Sequence, residues 1–307
     1  MGSYGPAVIT DASGNIYVAG TTSSTAGIAS GGFDNAIGGS QDAFLVKFNP
    51  AGSRQWATYY GGAGEESGYD VATDASGNVY LAGITNSTAA VASGGFDNVL
   101  GGVDDAFVVK FNSAGVRQWA TYYGGPGSEG TSSGMFTGYN SCGVTTDGSG
   151  NVLLAGHTES TTAIASGGFQ NSYGGGIDDV FLVKFNATGI RQWATYYGGA
   201  GDELGMSNDI AADLFDNVYL AGYTDSPGGI ASGGFDNVLA GSSDAFLVKF
   251  NPLGVRQWAT YYGGTGWENG VGVTANGAAN VYLTGSTGSA AGIASGGYDN
   301  TFGGTSD

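Results

Sequence analysis

The nonapeptide Arg54-Gln-Trp-Ala-Thr-Tyr-Tyr-Gly-Gly62 recurs without a change at Arg117–Gly125, Arg191–Gly199 and Arg256–Gly264. A 307-residue chain that repeats itself this closely is confined to architectures in which one unit stacks on copies of itself. Trp56, Thr58 and Tyr60 alternate with Ala57 and Tyr59, the period of a strand with both faces covered. The 61 glycines follow no three-residue period; they fall at fixed places between apolar runs, which is turn chemistry.

Each unit reads as four strands, a to d. Val8–Gly20 is a hairpin of strands a and b around Asp11-Ala-Ser-Gly14, a type I turn closed by a left-handed glycine. It recurs at 71–83, 144–156, 210–222 and 273–285, with Asp216 in place of the turn glycine in the fourth copy. A glycine-rich loop over 21–41, holding Gly-Gly-Phe-Asp-Asn, leads to strand c at Asp42–Asn49. The turn Asn49-Pro-Ala-Gly52 then leads to the nonapeptide as strand d, and 61–69 reads as a loop into the next unit. The complete units span about 7–62, 70–125, 143–199 and 209–264, followed by an a-b half unit over 271–307.

Four-stranded antiparallel units in tandem form the blades of a β-propeller. Strand c supports this, with Phe44, Val46 and Phe48 on one side and Leu45 and the Lys47 stem on the other. A β-helix uses much shorter rungs, and an isolated four-stranded sheet could not cover two apolar faces. The expected fold is all-β: a single β-propeller domain of four complete blades and a half blade, an incomplete ring. The uncovered half blade predicts either a segment of a longer repeat protein or self-association with a second copy.

Gly-Asn-Val-Tyr-Leu-Ala-Gly, Gly-Gly-Phe-Asp-Asn, Asp-Ala-Phe-Leu-Val-Lys-Phe-Asn and Gln-Trp-Ala-Thr-Tyr-Tyr-Gly-Gly, in that order, resemble the bacterial SBBP-type β-propeller repeat. The resemblance implies a propeller in large secreted or cell-surface proteins, although no signal peptide is visible in this chain. It implies no catalytic residues.

Charge narrows the partners. The formal net charge of −18 argues against nucleic acid and anionic membranes, and no apolar run is long enough to span a bilayer. The single cysteine, Cys142, excludes an internal disulfide. All eight basic residues flank the c-to-d turn: Lys47, Lys110, Lys184 and Lys249, with Arg54, Arg117, Arg191 and Arg256. Of the 26 acidic residues, Asp11, Asp74, Asp147, Asp213 and Asp216 lie in a-to-b turns, and the other 21 in or beside the long loops. The short-turn face therefore carries about +3 and the long-loop face about −21.

Calcium is the ion such a face would hold, through Asp34 with Asp42, Asp97 with Asp104 and Asp105, and Asp236 with Asp244. The competing reading is that these aspartates cap their own glycine turns, and Gln170 in the third copy favours it. The acid pairs Glu65-Glu66 and Asp202-Glu203 read as solvated loop residues. His157, at a position that varies among Thr21, Ile84, Tyr223 and Ser286, reads as exposed, and Cys142 has no partner that would make it a nucleophile. The insertion 126–140 brings Met135, Phe136 and Tyr139 to the loop face, and Trp267 adds an aromatic in the last d-to-a loop. These could stack on a sugar; the insertion could equally fold over the central channel. The reading is a non-enzymatic, extracellular or cell-surface scaffold that binds a protein or ligand through its acidic loop face. The alternative is a carbohydrate-binding, lectin-like or carbohydrate-active propeller using the insertion.

Overall fold

The computed structural model describes residues 6–131, 142–204, 210–277 and 280–307. The first sheet is β1 (Ala7–Thr10), β2 (Ile16–Thr22), β3 (Asp42–Phe48) and β4 (Arg54–Tyr60), in that spatial order. The second repeats it with β5 (Glu66–Thr73), β6 (Val79–Thr85), β7 (Asp105–Phe111) and β8 (Arg117–Tyr123). The third uses β9 (Cys142–Thr146), β10 (Val152–Thr158), β11 (Asp179–Phe185) and β12 (Arg191–Tyr197). In the fourth, the described parts of strand a are β13 (Glu203–Leu204) and β14 (Ile210–Ala212), which both pair with β15 (Val218–Thr224). That sheet continues through β16 (Asp244–Phe250) and β17 (Arg256–Tyr262), and β18 (Glu268–Ala275) pairs with β19 (Val281–Thr287) as the half blade. The described residues include no helix, so none long and apolar enough to cross a membrane.

The sheets are propeller blades. Their first strands lie side by side from blade to blade, β5 against β1 and β2, β9 against β5, β14 against β9 and β18 against β14, which places strand a innermost. The cores lie between blades, not within them. Leu45, Trp56 and Tyr60 of the first blade pack on Leu81, Phe107, Val109 and Phe111 of the second, and the second meets the third in the same way. Phe107, Val109 and Phe111 are wholly buried, whereas Phe44, Val46 and Phe48, which face no other blade among the described residues, are only half-buried.

The turns form as their residues dictate. Gly14 donates to the Asp11 carbonyl with φ at 76°, and Asp216 takes the same left-handed conformation at 61°. Two features depart from the sequence reading. The long b-to-c loop doubles back along strand d: Ser30 and Ala57 exchange backbone hydrogen bonds, and Tyr59 donates to Asp34. This pairing shields the outer edge of the blade. Strand a also begins earlier than expected. Glu66–Gly68 pairs with β6 across an irregularity at Gly68/Asp70, so residues read as loop lie inside the sheet.

Candidate ligand-binding face

The repeated nonapeptide is a joint. A bulge in every c-d pair sets Lys47 opposite Trp56, and both reach one carbonyl in the next blade's c-to-d turn. The lysine Nζ and the indole Nε1 donate to the Ser113 oxygen at 3.0 and 3.1 Å. Lys110 and Trp119 do the same to Ala187 at 3.1 and 3.0 Å, and Lys184 and Trp193 to Pro252 at 3.4 and 3.0 Å. Gly189, in the receiving turn, has φ at 82°, and a Cβ there would lie 2.8 Å from the Trp119 ring. The indole therefore fills the place a side chain would take. Tyr123 donates to Ile164 in the next blade at 2.5 Å, and Tyr197 to Ile230 at 2.7 Å. The Arg117 guanidinium lies 4.5 Å from the Phe33 ring of the blade before it. Within the joint the ammonium is held by an aromatic ring and a carboxylate. Lys110 Nζ lies 5.3 Å from the Tyr80 centroid and 3.9 Å from Asp74. Where Leu153 replaces that tyrosine, Lys184 closes to 2.7 Å from Asp147.

Burial alone would raise Asp74, but hydrogen bonds from Asn78, Tyr80 and Ser76 outweigh it and hold the carboxyl below its ordinary range. The same balance lowers Asp11 and Asp213.

At the opposite ends of the strands, two carboxyl groups converge at each junction. Asp179 opens strand c of the third blade and Glu203 opens strand a of the fourth. Both are buried, and the Cβ position of Gly198 would lie 2.2 Å from Asp179 Oδ1 and 2.6 Å from Glu203 Oε2. Asp179 accepts from Gly174 N at 2.6 Å, while its Oδ1 has no hydrogen-bond partner among the described residues. Glu203 accepts from Gly199 N at 2.7 Å and from the Thr224 hydroxyl at 2.5 Å. Desolvation, reinforced by neighbouring negative charge, pushes Asp179 up to about 7 and Glu203 to about 8. The preceding junction, Asp105 with Glu129, is raised to about 6 and about 7 for the same reasons.

These pairs change the charge map. Of the 21 loop-side acids, Asp42, Glu66, Asp105, Glu129, Asp178, Asp179, Glu203, Asp244 and Glu268 are buried. The face is acidic, with less charge exposed to solvent than the sequence suggests.

The proposed calcium residues divide into two sets. Asp34, Asp97 and Asp236 are half-buried, and each accepts from the backbone nitrogen two residues on, at 3.0, 2.9 and 3.0 Å. Asp42, Asp105 and Asp244 are buried and accept from amides of the preceding turn, such as Gly101 at 2.9 Å and Gly102 at 3.2 Å. Half-buried Asp104 accepts from Thr131 at 3.3 Å. Among the described residues, no three His, Cys, Asp or Glu side chains form a metal-binding group.

Met135, Phe136 and Tyr139 lie outside the described residues. Trp267 is 38% exposed and walls a cavity of about 490 Å³ with Asp202, Tyr223, Asp225, Ser242 and Asn269. His157, expected on the surface, is fully buried on β10, with no partner for either ring nitrogen among the described residues. Burial lowers it to about 4. Cys142 is a free, buried thiol raised by desolvation and by Asp70, which makes it inert. The cavity had one legible signal. Its residues occupy positions that differ from copy to copy, Trp267 replacing Glu65, Ser128 and Asp202, while the lysine and tryptophan of the joints do not change.

The family profile described as SBBP, beta-propeller repeat, matches residues 55–88 and 192–229, bearing out the resemblance. An uncharacterized WD repeat-containing protein of Acanthamoeba polyphaga mimivirus is 23% identical over 289 residues, which cover 79% of this chain. The chain spans about a fifth of that relative, 21% of its length. Among solved structures, a polysaccharide lyase, an ulvan lyase with bound saccharide, aligns at 10% identity with a TM-score of 0.45, over 92% of this chain and 63% of that one.

Proposed function

From a chain built of SBBP-type β-propeller repeats, we propose a non-catalytic scaffold, secreted or at the cell surface, that binds cationic partners through its long-loop face. One observation carries the reading: the repeated residues are consumed by the joints between blades. The lysines are drawn into joints on the short-turn face, so the opposite face keeps its exposed acids without compensating cations. Such a face attracts positive charge over roughly 10 Å at moderate salt. A carbohydrate-binding reading stands second, supported by the exposed ring of Trp267 beside hydrogen-bonding side chains.

Titration of the intact chain with oligolysine at increasing salt tests the first reading. Binding that weakens steeply with salt, with no binding of oligoglutamate, is expected. No binding at low salt refutes it, and salt-insensitive binding of neutral oligosaccharides favours the second.

A further inference from the structure

The cavity between the fourth blade and the half blade is lined at three positions that vary from copy to copy. Trp267 stands where the other junctions carry Glu65, Ser128 or Asp202. Tyr223 stands where other blades carry Thr21, Ile84, His157 or Ser286, and Asp225 where they carry Ser23, Asn86, Glu159 or Gly288. All three changes line one space of about 490 Å³, within the roughly 300–1,000 Å³ typical of small-ligand sites. Tyr223 is buried at its wall, Trp267 is half-exposed, and Asp225 is exposed. The carboxylates are held in place: Asp225 Oδ1 accepts from Asp202 N at 2.7 Å, and Asp202 Oδ1 accepts from Ile177 N at 2.6 Å.

We propose that this cavity binds an alkylammonium group, such as the side chain of a lysine presented by a partner. The inference rests on the cationic-partner reading and narrows it to one site and one chemical group. Trp267 supplies the part-exposed ring for the charge and buried Tyr223 apolar wall for the alkyl stem, while two carboxylates supply the counter-charge. The protein already uses this combination internally. Lys249 Nζ lies 5.2 Å from the Tyr219 centroid and 3.9 Å from Asp213, and Lys110 is held by Tyr80 and Asp74 in the same way. The cavity offers the same two kinds of group, unfilled by any lysine among its lining residues.

The test is calorimetric titration of the intact chain with N-acetyl-lysine methylamide and with its uncharged analogue, N-acetyl-norleucine methylamide. Saturable binding of the lysine compound alone is expected, weakened roughly tenfold or more in Trp267→Ala and in Asp225→Asn. Thermal unfolding of both variants checks that the fold is intact. Tyr223→Ile, which installs the second blade's residue, is expected to weaken binding while keeping the packing. Equal binding of norleucine overturns the proposal, as does lysine binding that Trp267→Ala leaves unchanged. Trp267-dependent binding of methyl glucoside without binding of the lysine compound overturns it in favour of a sugar site. Oligolysine binding with no binding of the single lysine compound also overturns it, while leaving the cationic-partner reading intact.

Discussion

Raising the pH from 6.5 to 8.5 perturbs the carboxyl pairs at the blade junctions and little else that is buried. Glu203 is raised to about 8, and Asp179 and Glu129 to about 7, each above its ordinary value because burial disfavours the charged form. In this range the folded chain retains protons that the unfolded chain has released, so stability falls as pH rises. The contribution is fully present below pH 4 and lost as pH passes through the folded values. His157, lowered to about 4, contributes in the opposite sense, but only slightly in this range, because the unfolded imidazole loses most of its remaining charge just above its ordinary value of 6.5. Each pH unit below a folded value counts about 1.4 kcal/mol, so Glu203 with shares from Asp179 and Glu129 yields a loss on the order of 3 kcal/mol. At roughly 2–4 °C per kcal/mol, the unfolding midpoint drops by about 6–12 °C. Glu203→Gln keeps one oxygen to accept from Gly199 and removes the group raised furthest. Thermal unfolding followed by near-UV circular dichroism in both proteins gives the comparison. The native chain should show the drop and the variant about half of it, whereas equal slopes would refute the junction argument and leave general charge repulsion as the cause.

The joints and the buried histidine give three further outcomes. Gly189→Ala puts a Cβ 2.8 Å from the Trp119 ring at a φ of 82°, and should cost about 2–4 kcal/mol, measured by urea unfolding. Trp119→Phe deletes the 3.0 Å bond to Ala187 but leaves Lys110 on that carbonyl, so a loss nearer 1–2 kcal/mol is expected by the same method. His157→Ile, which installs the residue found at Ile84, removes two buried nitrogens that have no partner among the described residues and should stabilise by about 1–3 kcal/mol. It should also flatten the acid limb of the stability profile between pH 4 and 6.5.

The architecture was legible because strand period, turn residues and repeat spacing agreed at every copy. The Asp216 conformation and the two-sided packing of strand c were expected from their residues and are present. The junction chemistry was hidden by distance. Asp179 and Glu203 stand 24 residues apart on different blades, and Asp202-Glu203 reads as a solvated loop pair when the neighbouring blade is out of view. Gly68 disguised the start of β5 in the same way, since a glycine inside a strand reads as the end of one. His157 misled because variation among copies usually marks a surface, whereas the position is buried in the second to fourth blades, which fill it with Ile84, His157 and Tyr223.

In this reading the lysines and tryptophans of the repeat build the joints, and the acids that stay solvent-accessible on the loop face, Asp34, Asp97 and Asp236 among them, do the binding. Replacing Asp34, Asp97 and Asp236 together by asparagine keeps the oxygen that caps each turn and removes three charges from the face. Oligolysine titration of this variant beside the native chain, over a series of salt concentrations, is the direct measurement. The expected result is an unfolding midpoint within about 2 °C of the native value, with weaker binding and a shallower salt dependence. Undiminished oligolysine binding by the triple variant would contradict it.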